Sequence, residues 1–163
     1  MKHCPYCGTR YQEQDLSETE GFLCHMCGKI FYLQLKLGAG AIIKVEGKLL
    51  LLKRNHEPFL GSWNLPAGYV NANESPRHAV QREVEEECGF KVDVGVLVDA
   101  YFFDDDPRGN GVILIYQCAI VGGELRLNDE VTEASYFPPF SLPTSLAGGG
   151  HDQAILSWKK ANN

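Results

Sequence analysis

The sequence predicts an α/β domain preceded by a small cysteine-rich appendage. Three observations carry this. Strand-like apolar runs at 38–46, 48–54, 92–103 and 112–121 are interrupted by a helix-sized segment at 76–88 and followed by a second at 152–160. Two C-x-x-C pairs lie within the first 27 positions. The 163 residues, 44% of them hydrophobic, suffice for one ordinary core with a small annex.

The annex comes first. Cys4-x2-Cys7-Gly8 and Cys24-x2-Cys27-Gly28 are two knuckles separated by sixteen residues, the spacing of a four-thiolate zinc site. A segment this short buries too little apolar surface to fold alone, so a bound Zn²⁺ supplies much of its folding free energy. Each knuckle ends in glycine, where the backbone turns toward the metal. With four thiolates the ligand set is complete, so the neighbouring His3 and His25 are not expected to bind the ion. The stretch 11–20 reads as a polar, solvated turn. A zinc ribbon over 1–33 is expected, with the boundary near 34–37 and the main domain over 37–163. Cys88 and Cys118 stand singly among apolar residues and read as buried free thiols.

In the main domain, 38–46 and 48–54 form two strands about a Glu46-Gly47 turn. The stretch 55–63 is a loop, and 64–70, broken by Pro66 and Gly68, is a bent strand. Ser75 suits the N-cap of the first long helix, Pro76 its first turn, and Gly89 the residue past its end. Ala79, Val80, Val84 and Cys88 form its apolar stripe. Strands follow at 92–103, 112–121 and 135–137. The loop 104–111, dense in turn formers, carries Asp104, Asp105 and Asp106, which read as solvated. A triple glycine at 148–150 leads to the final helix, with Ile155, Leu156 and Trp158 facing inward.

Glu83, Glu86 and Glu87 give the first helix its chemistry. Their i, i+3, i+4 spacing stacks three carboxylates on one face, where like charges repel unless a cation intervenes. Oxygen clusters of this kind suit Mg²⁺, and hence phosphate chemistry. Glu85 points away and is solvated. The net charge of −6 argues against a general nucleic-acid or membrane-surface binder. The N-terminus lacks the apolar core of a signal peptide, and the longest apolar stretch is far short of a span, so a soluble cytoplasmic protein is expected.

From Gly68 to Phe90 the chain reads G-x5-E-x7-R-E-V-x-E-E-x-G-F, which resembles the box of the Nudix hydrolases at all nine constrained positions over twenty-three residues. The preceding Gly61-x-Trp63-x-Leu65-Pro66-Ala67-Gly68 resembles the family's lead-in, and the cysteine segment is similar to the ribbon of a branch that includes NADH, ADP-ribose and FAD pyrophosphatases. The resemblance implies an α/β/α sandwich with a mixed sheet. It also implies hydrolysis of the pyrophosphate bond of a nucleoside diphosphate linked to X, giving a mononucleotide and X-phosphate. On this basis Glu83, Glu86 and Glu87, with the backbone carbonyl of Gly68, hold Mg²⁺ or Mn²⁺, and one of the glutamates could act as base instead. Arg82 orients Glu83, and Glu74 braces the loop–helix junction. Many relatives place the base outside the box; of Glu130 and Glu133, which resemble the acids ahead of the family's penultimate strand, Glu133 is the favoured base or extra ligand.

Residues beyond the box choose the substrate. The NADH branch carries S-Q-P-W-P-F-P-x-S after the box; here 94–110 lacks it, which demotes NADH. Arg54 is the preferred phosphate contact, with Arg108 second. Phe59 and Tyr101, and after them Phe102 and Phe140, are aromatics that could stack a base. Two other functions share the motif: a pyrophosphohydrolase that sanitises nucleoside triphosphates, and a non-catalytic sensor of ADP-ribose-like ligands. The intact box and the acidic charge favour the hydrolase. The partner is a small nucleotide. Homodimers are common in the family, and the sequence does not decide the assembly.

Overall fold

The computed structural model describes residues 2–17 and 21–162. The chain divides into two compact units, Met1–Leu35 and Lys36–Asn163.

In the first unit three short strands, β1 (Leu16–Ser17), β2 (Gly21–Leu23) and β3 (Ile30–Phe31), form an antiparallel sheet in the order β1-β2-β3. The two knuckles turn alike. Gly8 N donates to Cys4 O at 2.9 Å and Gly28 N to Cys24 O at 2.8 Å, with both glycines at positive φ. The solvated turn expected at 11–20 is more structured than its composition suggests. Glu13–Asp15 is a 3-10 helix, Tyr11 stacks on Phe22, and Asp15 is buried, accepting from Gln12 N and from His25 Nδ1 at 2.8 Å. The imidazole makes burial of that carboxylate tolerable. Residues 18–20 of that turn lie outside the described residues.

The second unit is built on a mixed sheet. Its strands are β4 (Lys36–Val45), β5 (Lys48–Arg54), β6 (Trp63–Asn64), β7 (Ala67–Tyr69), β8 (Phe90–Phe103), β9 (Gly111–Gly123) and β10 (Val131–Phe137). The main path runs β10-β5-β4-β9-β8, with β6 paired to β5 and β7 to β4. Strands β4 and β9 are parallel and the other pairs antiparallel. The strands start earlier or run longer than their apolar runs because polar ends still pair: β4 begins at Lys36, β8 at Phe90, and β10 at Val131.

Helix α1 (Pro76–Cys88) is capped as its sequence requires. Ser75 Oγ accepts from His78 N, and Gly89, in the left-handed region at φ 76°, donates to Glu85 O. Its buried residues Ala79, Val80, Val84 and Cys88 pack with Leu50, Leu52 and Tyr116 in one core. Helix α2 (His151–Ala161) packs Ala154, Ile155 and Trp158 with Leu49, Leu51 and Ile115 in a second core. Leu49 and Leu51 alternate with Leu50 and Leu52 along β5, so the two cores lie on opposite faces of the sheet. The result is an α/β/α sandwich. Leu156 was expected to face inward but is exposed, because one helical step of about 100° carries it off the stripe that Ile155 and Trp158 occupy. No helix among the described residues is long and apolar enough to cross a membrane.

Candidate active site

A cavity of about 370 Å³ opens where β7, the carboxylate face of α1 and the loops 55–62, 104–110, 124–130 and 148–150 meet. Its wall contains Gly68, Arg82, Glu83, Glu86 and Glu87 from the box, together with Arg54, Phe59, Arg108 and Glu130. Helical spacing alone puts the glutamates on one face. The cavity exists because β7 pairs with β4 and lays its backbone across that face. Gly68 is essential to the approach, since a Cβ there would overlap the carboxylate of Glu83.

Arg82 organises the acids. Its Nε and Nη2 donate to the two oxygens of Glu74 at 2.9 and 3.0 Å, and Nη2 also reaches Tyr69 O at 3.0 Å. Its Nη1 donates to Glu83 at 2.6 Å and to Glu86 at 3.2 Å. This fork needs a guanidinium; an ammonium is a single point donor. Bonded to Arg82, Glu74 has its pKa lowered to about 2. Glu87 is 5% exposed and accepts from Ala67 N at 3.0 Å. Burial pushes its pKa well above the usual carboxylate range, and the charges of Glu83 and Glu130 add to the shift. Burial raises Glu83 as well, and Glu86 and Glu130 add repulsion that Arg82 only partly offsets.

These acids are therefore crowded and under-neutralised, and every donor atom is an oxygen. That chemistry fits a hard divalent cation. The three glutamates line one wall without converging on a common point, since Arg82 holds Glu83 and Glu86 while Glu87 turns to Ala67 N. Among the described residues, the cysteines form the one group of three or more candidate ligands whose atoms all lie within 4.8 Å of one another. Cys4 Sγ and Cys27 Sγ are 3.7 Å apart, and Cys7 Sγ and Cys24 Sγ 3.6 Å. A tetrahedral Zn–S₄ centre with bonds of about 2.3 Å has S–S edges of about 3.8 Å, so this cluster fits zinc. All six cysteines are free thiols, and burial raises Cys88 to about 11 and Cys118 to about 12.

The other expected residues divide. Arg54 and Phe59 are in the cavity wall. Arg54 Nε donates to Pro58 O at 2.8 Å, and its Nη2 lies 2.9 Å from His56 Nε2. Glu133 is not in the wall; it sits on β10 beside Lys53 at 3.7 Å, and the acid facing the cavity is Glu130, one residue before that strand begins. The pairing of β10 with β5 is irregular between Val131 and Glu133, and Glu130 precedes the strand, so strand alternation does not relate the directions of the two acids. Tyr101 is a core residue packed with Ile113, Ile155 and Trp158, not a stacking platform on the cavity. Phe102 and Phe140 are exposed and outside the wall. Asp106, expected to be solvated, is 6% exposed. Arg108 Nη2 donates to it at 2.6 Å and Tyr69 Oη at 3.3 Å, and the Arg108 bond lowers its pKa to about 2. The sequence reading also passed over two cavity histidines. His56 follows the preferred arginine by two positions, and His151 opens α2 directly after the triple glycine; those placements were the available signal.

A carboxylate-lined, arginine-flanked cavity in an α/β/α sandwich has the oxygen donors for a hard cation and the positive charge for a phosphate-bearing ligand. A NUDIX domain model matches residues 34–158, leaving the four cysteines outside the match. An ADP-ribose pyrophosphatase of Methanocaldococcus jannaschii is 37% identical over 133 residues, 81% of this chain and 78% of that protein. An NAD-capped RNA hydrolase, NudC, of Pseudomonas aeruginosa is 30% identical over 143 residues, 87% of this chain but 49% of that protein. The crystal structure of a NUDIX hydrolase from Nitrosomonas europaea superposes with a TM-score of 0.76 at 26% identity, covering 98% of this chain and 92% of that one. The chain belongs to the Nudix family and is a Nudix hydrolase.

Proposed function

We propose that the enzyme hydrolyses the pyrophosphate bond of a nucleoside diphosphate linked to X, releasing a mononucleotide and X-phosphate. The observation that carries this reading is the buried Glu87 and the half-buried Glu83, whose charges repel, facing one cavity with Arg54 and Arg108. The relative from Methanocaldococcus jannaschii, named as an ADP-ribose pyrophosphatase, supports the substrate class.

Glu83, Glu86, Glu87 and the Gly68 carbonyl would hold Mg²⁺ or Mn²⁺, as the chemistry of their oxygens fits. Bound there, the cation supplies Lewis acidity toward phosphoryl oxygens and water. Arg82 fixes the glutamates without needing to touch substrate, because its donors are taken up by Glu74, Glu83, Glu86 and Tyr69 O. Arg54 and Arg108 put positive charge on the cavity wall, which would suit a transition state that spreads negative charge over phosphoryl oxygens. The attacking water must lose a proton to a carboxylate. Glu130 suits this role: it is in the wall, and its carboxylate has no hydrogen-bond donor among the described residues, whereas Glu83, Glu86 and Glu87 each accept one. In the cysteine segment Cys4, Cys7, Cys24 and Cys27 would hold a structural Zn²⁺.

A Mg²⁺-dependent screen of ADP-ribose, FAD, NADH, diadenosine polyphosphates and 8-oxo-dGTP, with products identified, tests the reading. The expected products are a mononucleotide and X-phosphate, with activity lost in Glu87→Gln. A nucleoside monophosphate plus pyrophosphate from the triphosphate alone would favour sanitation, and tight binding of ADP-ribose without turnover would favour a sensor.

A further inference from the structure

Asp106 is a buried carboxylate that the chemistry above leaves without a task. It lies in the cavity wall, on the loop between β8 and β9. Burying a charge is costly unless it is paired and hydrogen-bonded. Among the described residues, every side-chain bond it accepts comes from the same wall. Arg108 donates to one oxygen from Nε at 2.9 Å and to the other from Nη2 at 2.6 Å, a two-pronged guanidinium–carboxylate pair. Arg108 N donates at 2.8 Å, and Tyr69 Oη at 3.3 Å.

The backbone bond alone would turn the loop: Arg108 N reaches the Asp106 side chain, and Gly109 N reaches Asp106 O at 2.9 Å. The pair with the guanidinium is additional, and it fixes a long side chain that would otherwise sample many rotamers. The guanidinium also lies 5.3 Å from the centre of the Tyr69 ring, a cation–π contact that restrains it from a second direction.

This anchoring leaves a donor over. Asp106 occupies the Nε–Nη2 edge of Arg108, while Nη1 has no hydrogen-bond partner among the described residues, and the side chain is 45% exposed. Arg54 repeats the arrangement. Its Nε donates to Pro58 O at 2.8 Å and its Nη2 to His56 Nε2 at 2.9 Å, and its Nη1 has no partner among the described residues. The two guanidiniums also repel each other: burial lowers the Arg54 pKa, and the charge of Arg108 lowers it further. Two like charges on one cavity wall need an anion between them or a counter-charge beside them. Asp106 supplies the counter-charge to Arg108 on the edge that does not carry Nη1.

Resting on the hydrolase reading above, we propose that Asp106 is a positioning residue for the reaction: it holds the Arg108 guanidinium over Tyr69 with Nη1 kept for the pyrophosphate of the substrate, so that Arg108 and Arg54 engage that group together. Asp106 itself touches no reacting atom and acts through Arg108. A donor fixed before substrate arrives loses less freedom on binding, which is the gain from preorganisation.

The test is a double-mutant cycle on the hydrolysis of ADP-ribose and of FAD at saturating Mg²⁺, with wild type, Asp106→Asn, Arg108→Gln and the double variant. The asparagine side chain keeps an acceptor for the turn and removes the charge. Arg108→Gln should lower kcat/KM by about 100-fold. Asp106→Asn should lower it by about 10-fold, chiefly through KM. The double variant should be no worse than Arg108→Gln alone, where independent sites would give about 1,000-fold. The Mg²⁺ concentration for half-maximal rate should stay within about twofold of wild type throughout, a readout that a general distortion of the site would move. If Asp106→Asn does not fold, Arg108→Lys makes the comparison: an ammonium keeps the charge but cannot bond Asp106 along one edge and present a second fixed donor, so it should lose as much as Arg108→Gln. An additive loss in the double variant, wild-type kcat/KM in Asp106→Asn or in Arg108→Lys, or a shifted Mg²⁺ requirement overturns the proposal and leaves the hydrolase reading intact. Wild-type protein that hydrolyses neither compound overturns both.

Discussion

Substituting Gly68 by alanine separates the catalytic role of the box from its stability. A Cβ at position 68 would fall on the carboxylate of Glu83, well inside the 3.0 Å that real Cβ atoms essentially never breach. The backbone there has no positive φ, so alanine is allowed by conformation and gains a few tenths of a kcal/mol to about 1 kcal/mol from the unfolded state. The obstacle is the end of a flexible side chain, which must retreat by about 1 Å and loosen its 2.6 Å bond to Arg82. These effects oppose each other, so the melting temperature should change by no more than about 3 °C. Catalysis has no such tolerance: a misplacement of about 1 Å typically costs about 100-fold. Gly68→Ala should therefore fold, lose about 100-fold in kcat/KM, and need more Mg²⁺ for half-maximal rate. Steady-state kinetics over a Mg²⁺ titration, beside a thermal melt, decides it. A variant within about threefold of wild type at equal stability would refute the close packing of Gly68 on Glu83 as a catalytic requirement.

Arg82→Lys should lose activity by about 100-fold despite conserving charge, because one ammonium cannot serve Glu74, Glu83, Glu86 and Tyr69 O together; near-normal kcat/KM would show that charge alone suffices. Asp106 has its pKa lowered to about 2, so its pairing stabilises the fold above the ordinary value of 3.8 and is lost as pH falls from about 4 toward 2. With Arg108 45% exposed, screening leaves about 1 kcal/mol, so Asp106→Asn should be less stable than wild type at pH 6 and converge with it near pH 2 in denaturant melts. Strong chelation, or Cys24→Ser, should release about one zinc per chain and deprotect backbone amides in 2–35, read by metal analysis and hydrogen exchange; unchanged protection would argue against a structural ion.

Much of this protein is legible along the chain because its signals are local. The spacing of Glu83, Glu86 and Glu87, the Ser75 and Gly89 caps, the two knuckles and the apolar runs lie within a few residues of the structures they specify. Where residues stand apart from their local signals, long-range packing is the cause. Glu133 lies outside the cavity wall and Glu130 in it, a placement set by how β10 pairs with β5, residues some eighty positions apart. Tyr101 was a candidate platform because an aromatic on a strand does not reveal which neighbours cover it. The burial of Asp106, which a turn-rich loop does not signal, depends on Tyr69 as well as on Arg108.

The α/β class, the acidic helix face and the spacing of the four cysteines follow from helical and strand periodicity and from knuckle spacing, which are short-range properties. What those acids face is a matter of long-range packing. Arg54 at the end of β5 with His56 and Phe59, then Asp106 and Arg108, then Glu130, then His151 at the start of α2 come from four stretches scattered over about a hundred residues. They meet in one cavity because β4 pairs with β5, β7 and β9 at the centre of the sheet. That convergence is a long-range packing outcome, in which each loop's position depends on strands far from it in the chain, so no local pattern could encode it.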